Sequence, residues 1–345
     1  MSARTTSGRR PTIKDVAAEA GVSPAAVSKV FNGTGRISEP TRQRVQDAAA
    51  RLGWSPNAAA SALRRSRSHT VALVVRRPSD VLGTDPHFSE LINGLESELA
   101  PRGYGLLLHL VADVDEEGRL YERLAAEGRV DGAVLTESRI DDPRPAQLRR
   151  LGLPFVLLGG PDGVMLSHQE TGVTEAVEHL LALGHRRIGY VSGPPELVHS
   201  GFRQGVLTEV LAGAGLTPAA VIPTDFGAEA AIAATERLLA LSPRPTAIVY
   251  ANDSMAMCGI GAAQRAGLSV PGDLSVIGYD DLPLGRWLHP RLTTVDQRVT
   301  VVGAAAARVL LAEVGEEHVP APELTESPRL VVRESTGPAS KTPVS

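Results

Sequence analysis

Short hydroxyl and amide side chains recur at turns and helix starts near the amino terminus, together with a few cations. The polar groups belong to Thr12, Ser23, Ser28, Asn32, Ser38 and Thr41, and the cations include Lys29 and Arg36. Such groups at helix starts can hold phosphate oxygens and so position a protein on nucleic acid. Each can instead cap a helix or face solvent, and for Ser23 and Ser38 both roles are compatible.

The charge of the chain is divided unevenly along its length. The first 69 residues contain 12 Lys and Arg against 4 Asp and Glu, whereas the remainder contains 23 against 35. A basic segment attracts phosphates, and an acidic body is repelled by them. The division therefore indicates a nucleic-acid partner that the net charge of −4 conceals.

Several classes of protein are disfavoured by composition. The 345 residues are 43% hydrophobic, which is enough for two or three compact domains. No signal peptide or membrane-spanning run is present, so we expect a cytoplasmic, nucleoid-associated protein without membrane contact. Cys258 is the sole cysteine, which excludes an internal disulfide. No catalytic constellation, metal-ligand spacing or cofactor motif occurs, so we expect no enzyme, no metal and no cofactor.

The stretch TIKDVAAEAGVSPAAVSKVFNG predicts two short helices joined by a glycine turn. Thr12 and Asp15 form a capping-box-like start, Gly21 ends the first helix, and Ser23 with Pro24 begins the second. SEPTRQRVQDAAARLGW predicts a third helix that completes a small core. This is helix-turn-helix geometry, in which the second helix enters the major groove.

The rest of the chain alternates apolar runs with amphipathic stretches. The predicted strands include TVALVVR, GLLLHLV, DGAVLTE, PFVLLGG, RIGYVSG, TAIVYAND and LSVIGYDD. Alternation of this kind predicts parallel sheets covered by helices, with ligands at the carboxyl ends of the strands. More strand candidates occur than one small sheet would hold, so we expect two α/β lobes with a cleft between them.

The order of these motifs resembles that of the LacI/GalR (lactose-repressor) family of bacterial transcription regulators. The resemblance rests on the helix-turn-helix stretch, LGWSPNAAASAL, VEHLLALGHRRIGYVSGP, RPTAIVYANDSMAMCGIGAAQRAGLSVPGDLSVIGYDD, HPRLTTVDQ and PRLVVRES, and covers roughly residues 12–336. It implies a small all-α helix-turn-helix head and a periplasmic-binding-protein-like body of two Rossmann-like lobes.

The same resemblance implies domain boundaries. We expect a disordered tail at 1–11, the DNA-binding domain at 12–54, a hinge helix and linker at 55–69, an effector-binding and dimerisation domain at 70–336, and a disordered tail at 337–345. Because the chain is expected to cross between lobes three times, lobe 1 comprises about 70–166 and 297–322, and lobe 2 about 167–296 and 323–336.

The hinge segment SPNAAASALRR begins like a helix, with Ser55 as cap and Pro56 in the first turn. A helix this short is expected to be largely unfolded alone, since about 12–15 residues are needed for even marginal stability. The resemblance implies that paired hinge helices enter the minor groove, with Leu63 as a wedge, Ala60 allowing close approach and Asn57 reaching phosphate. The alternative is a flexible linker whose leucine is incidental.

The resemblance also assigns base contacts to Pro24, Ala25 and Lys29, with Arg36 as an additional base or phosphate contact. Of the first three, Pro24 and Ala25 have no hydrogen-bonding side chain, and Lys29 can donate to a guanine edge. Hydrogen bonds to base edges are therefore expected to contribute little to sequence recognition. Leu63 and the deformability of the central DNA step are expected to carry a large share of specificity.

For the cleft, the resemblance implies that five residues bind a small-molecule effector. These are Phe88, Arg203, Phe226, Asn252 and Asp280. A carbohydrate is the leading expectation, with the aromatics facing a ring and the polar set facing hydroxyls. Ordinary core packing is an equally good account of Phe88 and Phe226.

The expected function is sequence-specific repression by a homodimer on a near-palindromic operator of double-stranded DNA, controlled by the effector. The alternatives are a solute-binding protein of transport, which the lack of a signal peptide disfavours, and a regulator controlled by a protein partner or a nucleobase-like corepressor. Whether the effector is an inducer or a corepressor stays open.

Overall fold

The computed structural model describes residues 11–32, 35–55, 67–77, 86–159, 163–164, 168–321, 324 and 326–340. The chain divides into two compact units, Met1–Ser68 and His69–Ser345. We call the first the head and the second the body, and each is described by itself.

Three helices form the described part of the head: α1 (Ile13–Ala20), α2 (Pro24–Asn32) and α3 (Glu39–Leu52). Asp15 accepts hydrogen bonds from the backbone N–H and the hydroxyl of Thr12, both at 2.7 Å, which fixes the start of α1. Gly21 takes a left-handed conformation with φ of 63°, which a glycine adopts without steric cost. The helix-turn-helix predicted from the sequence is confirmed.

The core of the head comes from the faces that helical periodicity predicts. Val16, Val27 and Val45 have no exposed surface and bring the three helices together. Trp54 packs edge-on against Phe31 with 5.2 Å between ring centroids, closing one side of this core.

The first lobe of the body contains a four-stranded parallel sheet. In chain order its elements are β1 (Thr70–Val75), α4 (His87–Leu99), β2 (Gly105–Leu110), α5 (Val114–Ala126), β3 (Gly132–Leu135), α6 (Arg144–Leu151) and β4 (Phe155–Leu157). The strand order is β2-β1-β3-β4. A hydrophobic cluster lies on each face of this sheet, as expected when helices cover both sides.

The second lobe contains a six-stranded sheet of order β10-β9-β8-β7-β5-β6. Its elements are α7 (Glu170–Ala182), β5 (Ile188–Ser192), α8 (Val198–Gly213), β6 (Val221–Pro223), α9 (Ala228–Leu239), β7 (Ala247–Tyr250), α10 (Asp253–Arg265), β8 (Ser275–Tyr279), β9 (Thr293–Asp296) and β10 (Arg329–Val331). The edge strand β10 runs antiparallel to β9 and departs from the expected parallel pattern.

One helix, α11 (Val299–Glu313), follows β9 of lobe 2 but packs on α4 of lobe 1. The chain therefore passes between lobes after β4, between β9 and α11, and between α11 and β10. Gly94 and Gly303 allow α4 and α11 to approach closely, because a Cβ on Gly94 would lie 2.2 Å from the carbonyl oxygen of Thr300.

The expectation of a disordered tail from residue 337 onward is wrong for 337–340. His185 Nε2 lies 3.0 Å from the carbonyl oxygen of Gly337, and Ala339 N donates to Leu183 O at 2.9 Å. These hydrogen bonds hold residues 337–340 on lobe 2 and give partners to their backbone polar groups. Among the described residues, no helix is long and apolar enough to cross a membrane.

Candidate functional site

The exposed face of α2 carries the three residues expected to contact bases. Pro24 and Ala25 begin the helix and are exposed, and Lys29 is exposed one turn later. Val27 and Val30 face the core of the head instead. The surface thus offers one cation and two small apolar side chains for a groove.

Of the polar groups expected at phosphates, four lie at helix starts, Thr12, Ser23, Ser38 and Thr41, whereas Ser28 lies in the middle of α2. Ser23 Oγ accepts a hydrogen bond from Ala26 N at 3.2 Å, and its own hydroxyl hydrogen remains available to donate. Ser38 does not cap α3 through its side chain, because its hydroxyl instead lies 2.9 Å from the hydroxyl of Thr41. Arg36 is exposed and Ser28 half-buried.

Other expected DNA contacts are less well placed by the structure. Asn32 is the last residue of α2. Asn57, Ala60 and Leu63 lie outside the described residues, so the wedge remains a prediction.

Within the body, an open cleft lies between the lobes. Phe88, Arg203, Phe226, Asn252 and Asp280 all line it. Phe226, Asn252 and Asp280 follow the strands β6, β7 and β8. Because the carboxyl ends of parallel strands meet at one edge of the sheet, these three residues lie on the same side of the cleft. Phe88 and Arg203 come from the helices α4 and α8.

A chain of hydrogen bonds links the polar groups of lobe 2 with the connection into α11. Arg203 stacks on Tyr279 at 3.6 Å and donates to Ala251 O at 3.0 Å and to Gln297 Oε1 at 3.1 Å. Gln297 in turn donates to the Asp280 carboxylate. His87 Nδ1 of lobe 1 lies 3.8 Å from Asp280 Oδ1, so this network reaches both lobes.

Asp280 is presented by a strained turn. It has φ of 121° and Asp281 has φ of 53°, values that non-glycine residues adopt only when their surroundings enforce them. The buried Asp253 carboxylate holds this turn in place, because it accepts hydrogen bonds from the Leu282 backbone N–H at 2.7 Å and from the Thr294 hydroxyl. Burial, followed by the charge of Asp280, raises the pKa of Asp253 well above its ordinary value.

The two aromatic residues are buried, with 4% of Phe88 and 7% of Phe226 exposed. The guanidinium of Arg77 lies 4.4 Å from the Phe226 ring centroid and 6.0 Å from that of Phe88. Arg77 also donates to Glu137 and, at 3.4 Å, to Asp225 O. An arginine of lobe 1 therefore covers the aromatic side chain of lobe 2.

Asn252 has a structural role in addition to its place in the cleft. Its side-chain oxygen accepts from Met255 N at 2.8 Å and caps α10. The amide oxygen is thus engaged by the protein, and its NH₂ group is the part suited to donate to a ligand.

A buried ionic cluster supports the lobe 1 wall of the cleft. Glu117 accepts from Arg139 at 3.0 Å and from Arg144 at 3.2 Å. Arg144 also donates to the carbonyl oxygens of Thr136 and Glu137, at 2.9 and 3.0 Å. Burial acts to lower the pKa of Arg144, but hydrogen bonding to Asp142 and the charge of Glu117 reverse this and raise it.

The segment after β3 also touches the opposite lobe. Val198 N donates to Ser138 O and Ile140 N donates to Glu196 O, each at 2.9 Å. These backbone bonds join the lobes at the start of α8. The ionic cluster and these two backbone hydrogen bonds together hold the segment after β3, which includes Glu137.

Several further residues that line the cleft were not expected from the sequence, among them Arg77, His87, Glu137, His199 and Gln297. For Arg77 and Glu137 a signal was present, because each is a charged residue just beyond an apolar strand, where ligand sites occur. His199 and Gln297 had no comparable local pattern. Among the described residues, no group of His, Cys, Asp or Glu side chains is arranged to hold a metal ion.

Comparison with known proteins agrees with this architecture. Residues 12–57 match the family of bacterial regulatory proteins, lacI family, and residues 177–336 match the periplasmic binding protein-like domain. The HTH-type transcriptional regulator CelR of Thermobifida fusca is 34% identical over 336 residues, covering 95% of this chain and 98% of that protein.

Two solved structures are similar over nearly the whole chain. A transcriptional regulator CelR–cellobiose complex has 33% identity and a TM-score of 0.70, covering 94% of this chain and 100% of that chain. The Lac repressor dimer bound to operator and the anti-inducer ONPF has 28% identity and a TM-score of 0.82, covering 95% and 100%.

Proposed function

Because this chain belongs to the lacI family of bacterial regulatory proteins, we propose that it is a transcriptional repressor. It binds a near-palindromic operator as a homodimer in the cytoplasm and is controlled by a small molecule in the interlobe cleft. Control by an effector is supported by one observation: the five residues predicted to bind it are far apart in the sequence, and all of them line one cleft. The role is regulatory and not enzymatic.

The head supplies the DNA-binding part of this function. Its basic charge contrasts with the acidic body, and the exposed start of α2 presents Pro24, Ala25 and Lys29 in the position of a recognition helix. Two-fold symmetry of a homodimer matches two-fold symmetry of the operator.

Binding to operator DNA is expected to fall steeply with salt. A protein contacting six to ten phosphates loses about 10³–10⁵-fold in affinity between roughly 50 and 200 mM salt. Lys29→Ala should weaken binding, whereas Arg237→Ala, at an exposed body position, should change neither affinity nor slope. Fluorescence anisotropy with DNA selected from genomic fragments measures both, and absence of binding at low salt contradicts the proposal.

Leu63 tests the hinge assignment. Leu63→Ala is expected to reduce specific affinity by about tenfold or more and to abolish the DNA bend, because the unstacking wedge is lost. Circular-permutation gel shifts report the bend. Effector binding by the body serves as the control and should be retained. An unchanged bend would show that Leu63 is an incidental linker residue.

The effector proposed for the cleft is a neutral, polyhydroxylated ring, with a carbohydrate as the leading candidate. Arg77 and Glu137 form a charge pair in lobe 1, and Arg203 is balanced by Asp280 through Gln297. A cleft with compensated charges favours a neutral ligand. The similar CelR structure is a cellobiose complex, which supports testing sugars first.

The ligand acts by shifting an equilibrium between lobe arrangements. It can do so only through unequal affinity for the two states. Isothermal titration with cellobiose, D-glucose, D-ribose, adenosine and cytidine tests this, followed by operator binding with the molecule that binds. A binder that leaves operator affinity unchanged would contradict effector control.

A further inference from the structure

The chain enters the body at His69, whose backbone is in a left-handed conformation. The head ends at Ser68, and His69 precedes β1 with φ of 49°. Non-glycine residues rarely adopt this conformation, so neighbouring groups must hold it. The His69 backbone N–H donates to the Asp131 carboxylate at 2.8 Å, and Gly105 N donates to His69 O at 2.9 Å. The starts of β2 and β3 therefore fix the point where the linker joins the body.

The imidazole of His69 packs on a buried tyrosine, Tyr104. The centroids of the two rings are 4.9 Å apart, and their planes are inclined by 53°. Tyr104 is 3% exposed, and its hydroxyl donates to Glu316 Oε1 at 2.9 Å. A buried hydroxyl needs such a partner, because it has lost its hydrogen bond to water. Tyr104 thus connects the point where the linker joins the body with the segment that follows α11.

Glu316 is held against the last turn of α11. Gly315 follows the helix with φ of 78°, and its backbone N–H donates to Ala312 O at 3.0 Å. The backbone N–H of Glu316 donates to Leu311 O at 2.9 Å. This pair of hydrogen bonds is a Schellman motif, which closes the carboxyl end of a helix. A movement of that end of α11 therefore carries Glu316 with it.

The other end of α11 lies at the cleft. Val299 and Val302, in its first turn, line the cleft. Gln297, two residues before the helix, forms hydrogen bonds with Arg203 and Asp280 of lobe 2. A helix of 15 residues is about 22 Å long. One rigid element therefore extends from the cleft to the contact that holds His69.

We propose that Tyr104 and Glu316 are positioning residues that couple the cleft to the linker through α11. A rearrangement of the lobes that displaces the start of α11 also displaces Glu316 and, through Tyr104, the residue to which the linker is attached. Coupling between two binding sites is reciprocal, so operator binding must also affect the cleft end of α11. This inference rests on the proposed function, in which the head binds operator DNA and the cleft binds an effector.

Two substitutions remove the contact, one from each side. Tyr104→Phe keeps the ring against His69 but removes the hydroxyl, and Glu316→Ala removes the acceptor. Tyr121→Phe is the matched control for the first, because Tyr121 is buried in the same lobe and its hydroxyl has no hydrogen-bond partner among the described residues. Glu317→Ala, at the exposed neighbouring position, is the matched control for the second.

Amide hydrogen exchange of the full chain, with and without saturating operator DNA selected from genomic fragments, is the first test. In the wild type, operator binding should change the exchange rates of residues 297–303, at the cleft end of α11. This change should be smaller by about threefold or more in Tyr104→Phe and Glu316→Ala. It should persist in both controls and in Glu316→Gln, which keeps an acceptor for the Tyr104 hydroxyl.

The second test measures how far an effector changes operator affinity. The probes are cellobiose, D-glucose, D-ribose, adenosine and cytidine. For a probe that binds, the ratio of operator affinities with and without it should move toward one by about threefold or more in both variants. Affinity for the probe without DNA should stay the same. The double variant should show no further loss, because both substitutions remove the same contact.

The outcomes separate the inference from the proposed function. If operator binding leaves the exchange of residues 297–303 unchanged in the wild type, or changes it equally in Tyr104→Phe, the inference is overturned alone. An equal loss in Tyr121→Phe would show general loosening of lobe 1 and would also overturn it. If the wild type selects no DNA, the proposed function fails and the inference fails with it. If no probe alters operator affinity, effector control is contradicted and the exchange result still decides the inference.

Discussion

Replacing Glu117 with alanine is expected to destabilise the body by about 3–5 kcal/mol. The Glu117 side chain is 1% exposed and pairs with Arg139 and Arg144, which are 8% and 3% exposed. Removing the carboxylate leaves two buried guanidinium groups with part of their charge uncompensated. Urea unfolding of the full chain, followed by circular dichroism, measures the loss.

The same substitution should impair the cleft. Arg144 holds the carbonyl oxygens of Thr136 and Glu137, and these residues line the cleft. We therefore expect weaker effector binding even where the variant remains folded. Glu117→Gln, which keeps an acceptor but loses the charge, should give an intermediate loss of stability.

Glu122 provides the control for Glu117. It lies on the same helix, α5, with its side chain exposed, so Glu122→Ala should change the free energy of unfolding by no more than about 0.5 kcal/mol. Equal effects of the two substitutions would show that the cluster contributes no net stabilisation.

Gly94→Ala is expected to cost about 3 kcal/mol, near the upper end for overpacking. The new Cβ would lie 2.2 Å from Thr300 O and 3.0 Å from Ala304 N. Both neighbours are backbone atoms of α11, so the clash is relieved only if the two helices separate. Because α4 carries His87 and Phe88, separation should also shift residues of the cleft.

Gly205→Ala is the matched control for Gly94→Ala. Gly205 lies within α8 and is exposed, and a Cβ there would meet no atom within 4 Å. Alanine should raise stability by about 0.5–1 kcal/mol, because it restricts the unfolded chain and favours helix. In thermal melting, we expect Gly94→Ala to lower the melting temperature and Gly205→Ala to raise it. An unchanged melting temperature for Gly94→Ala would contradict close packing of α4 on α11.

Local pattern predicts most of the elements but misses those that depend on their neighbours. Strands of four to six apolar residues such as β1 and β3 are predicted, because they are long enough to show a continuous buried run. The strand runs predicted from the sequence do not include β6, β9 or β10. Of these, β6 and β10 have three residues each, lie at the edges of the sheet and include a proline and an arginine, whereas β4, equally short and at an edge, is continuously apolar.

The cleft shows the same division between local and long-range information. Phe88, Arg203, Phe226, Asn252 and Asp280 were predicted through family resemblance, and the structure brings all five to one cleft. What they contact there was not predictable, since each partner comes from another element. Arg203 meets Gln297, and Asp280 meets both Gln297 and His87.

The sequence by itself determined the properties that are set by composition and by short-range periodicity. These are the basic head and acidic body, the three helices of the head with the capping box of the first, and the alternation of strands and helices in the body. Each of these properties depends on composition or on residues close together in the sequence, so it can be predicted without knowledge of the fold.

Only the tertiary structure decided which side chains act together. The Glu117 cluster, the placement of Arg77 over Phe226 and the hydrogen bonds that link Arg203, Gln297 and Asp280 all join residues that are far apart in the chain. Their proximity follows from the way two sheets and the crossing helix α11 pack. No local preference encodes that packing, because it minimises the free energy of the whole body and not of any one segment.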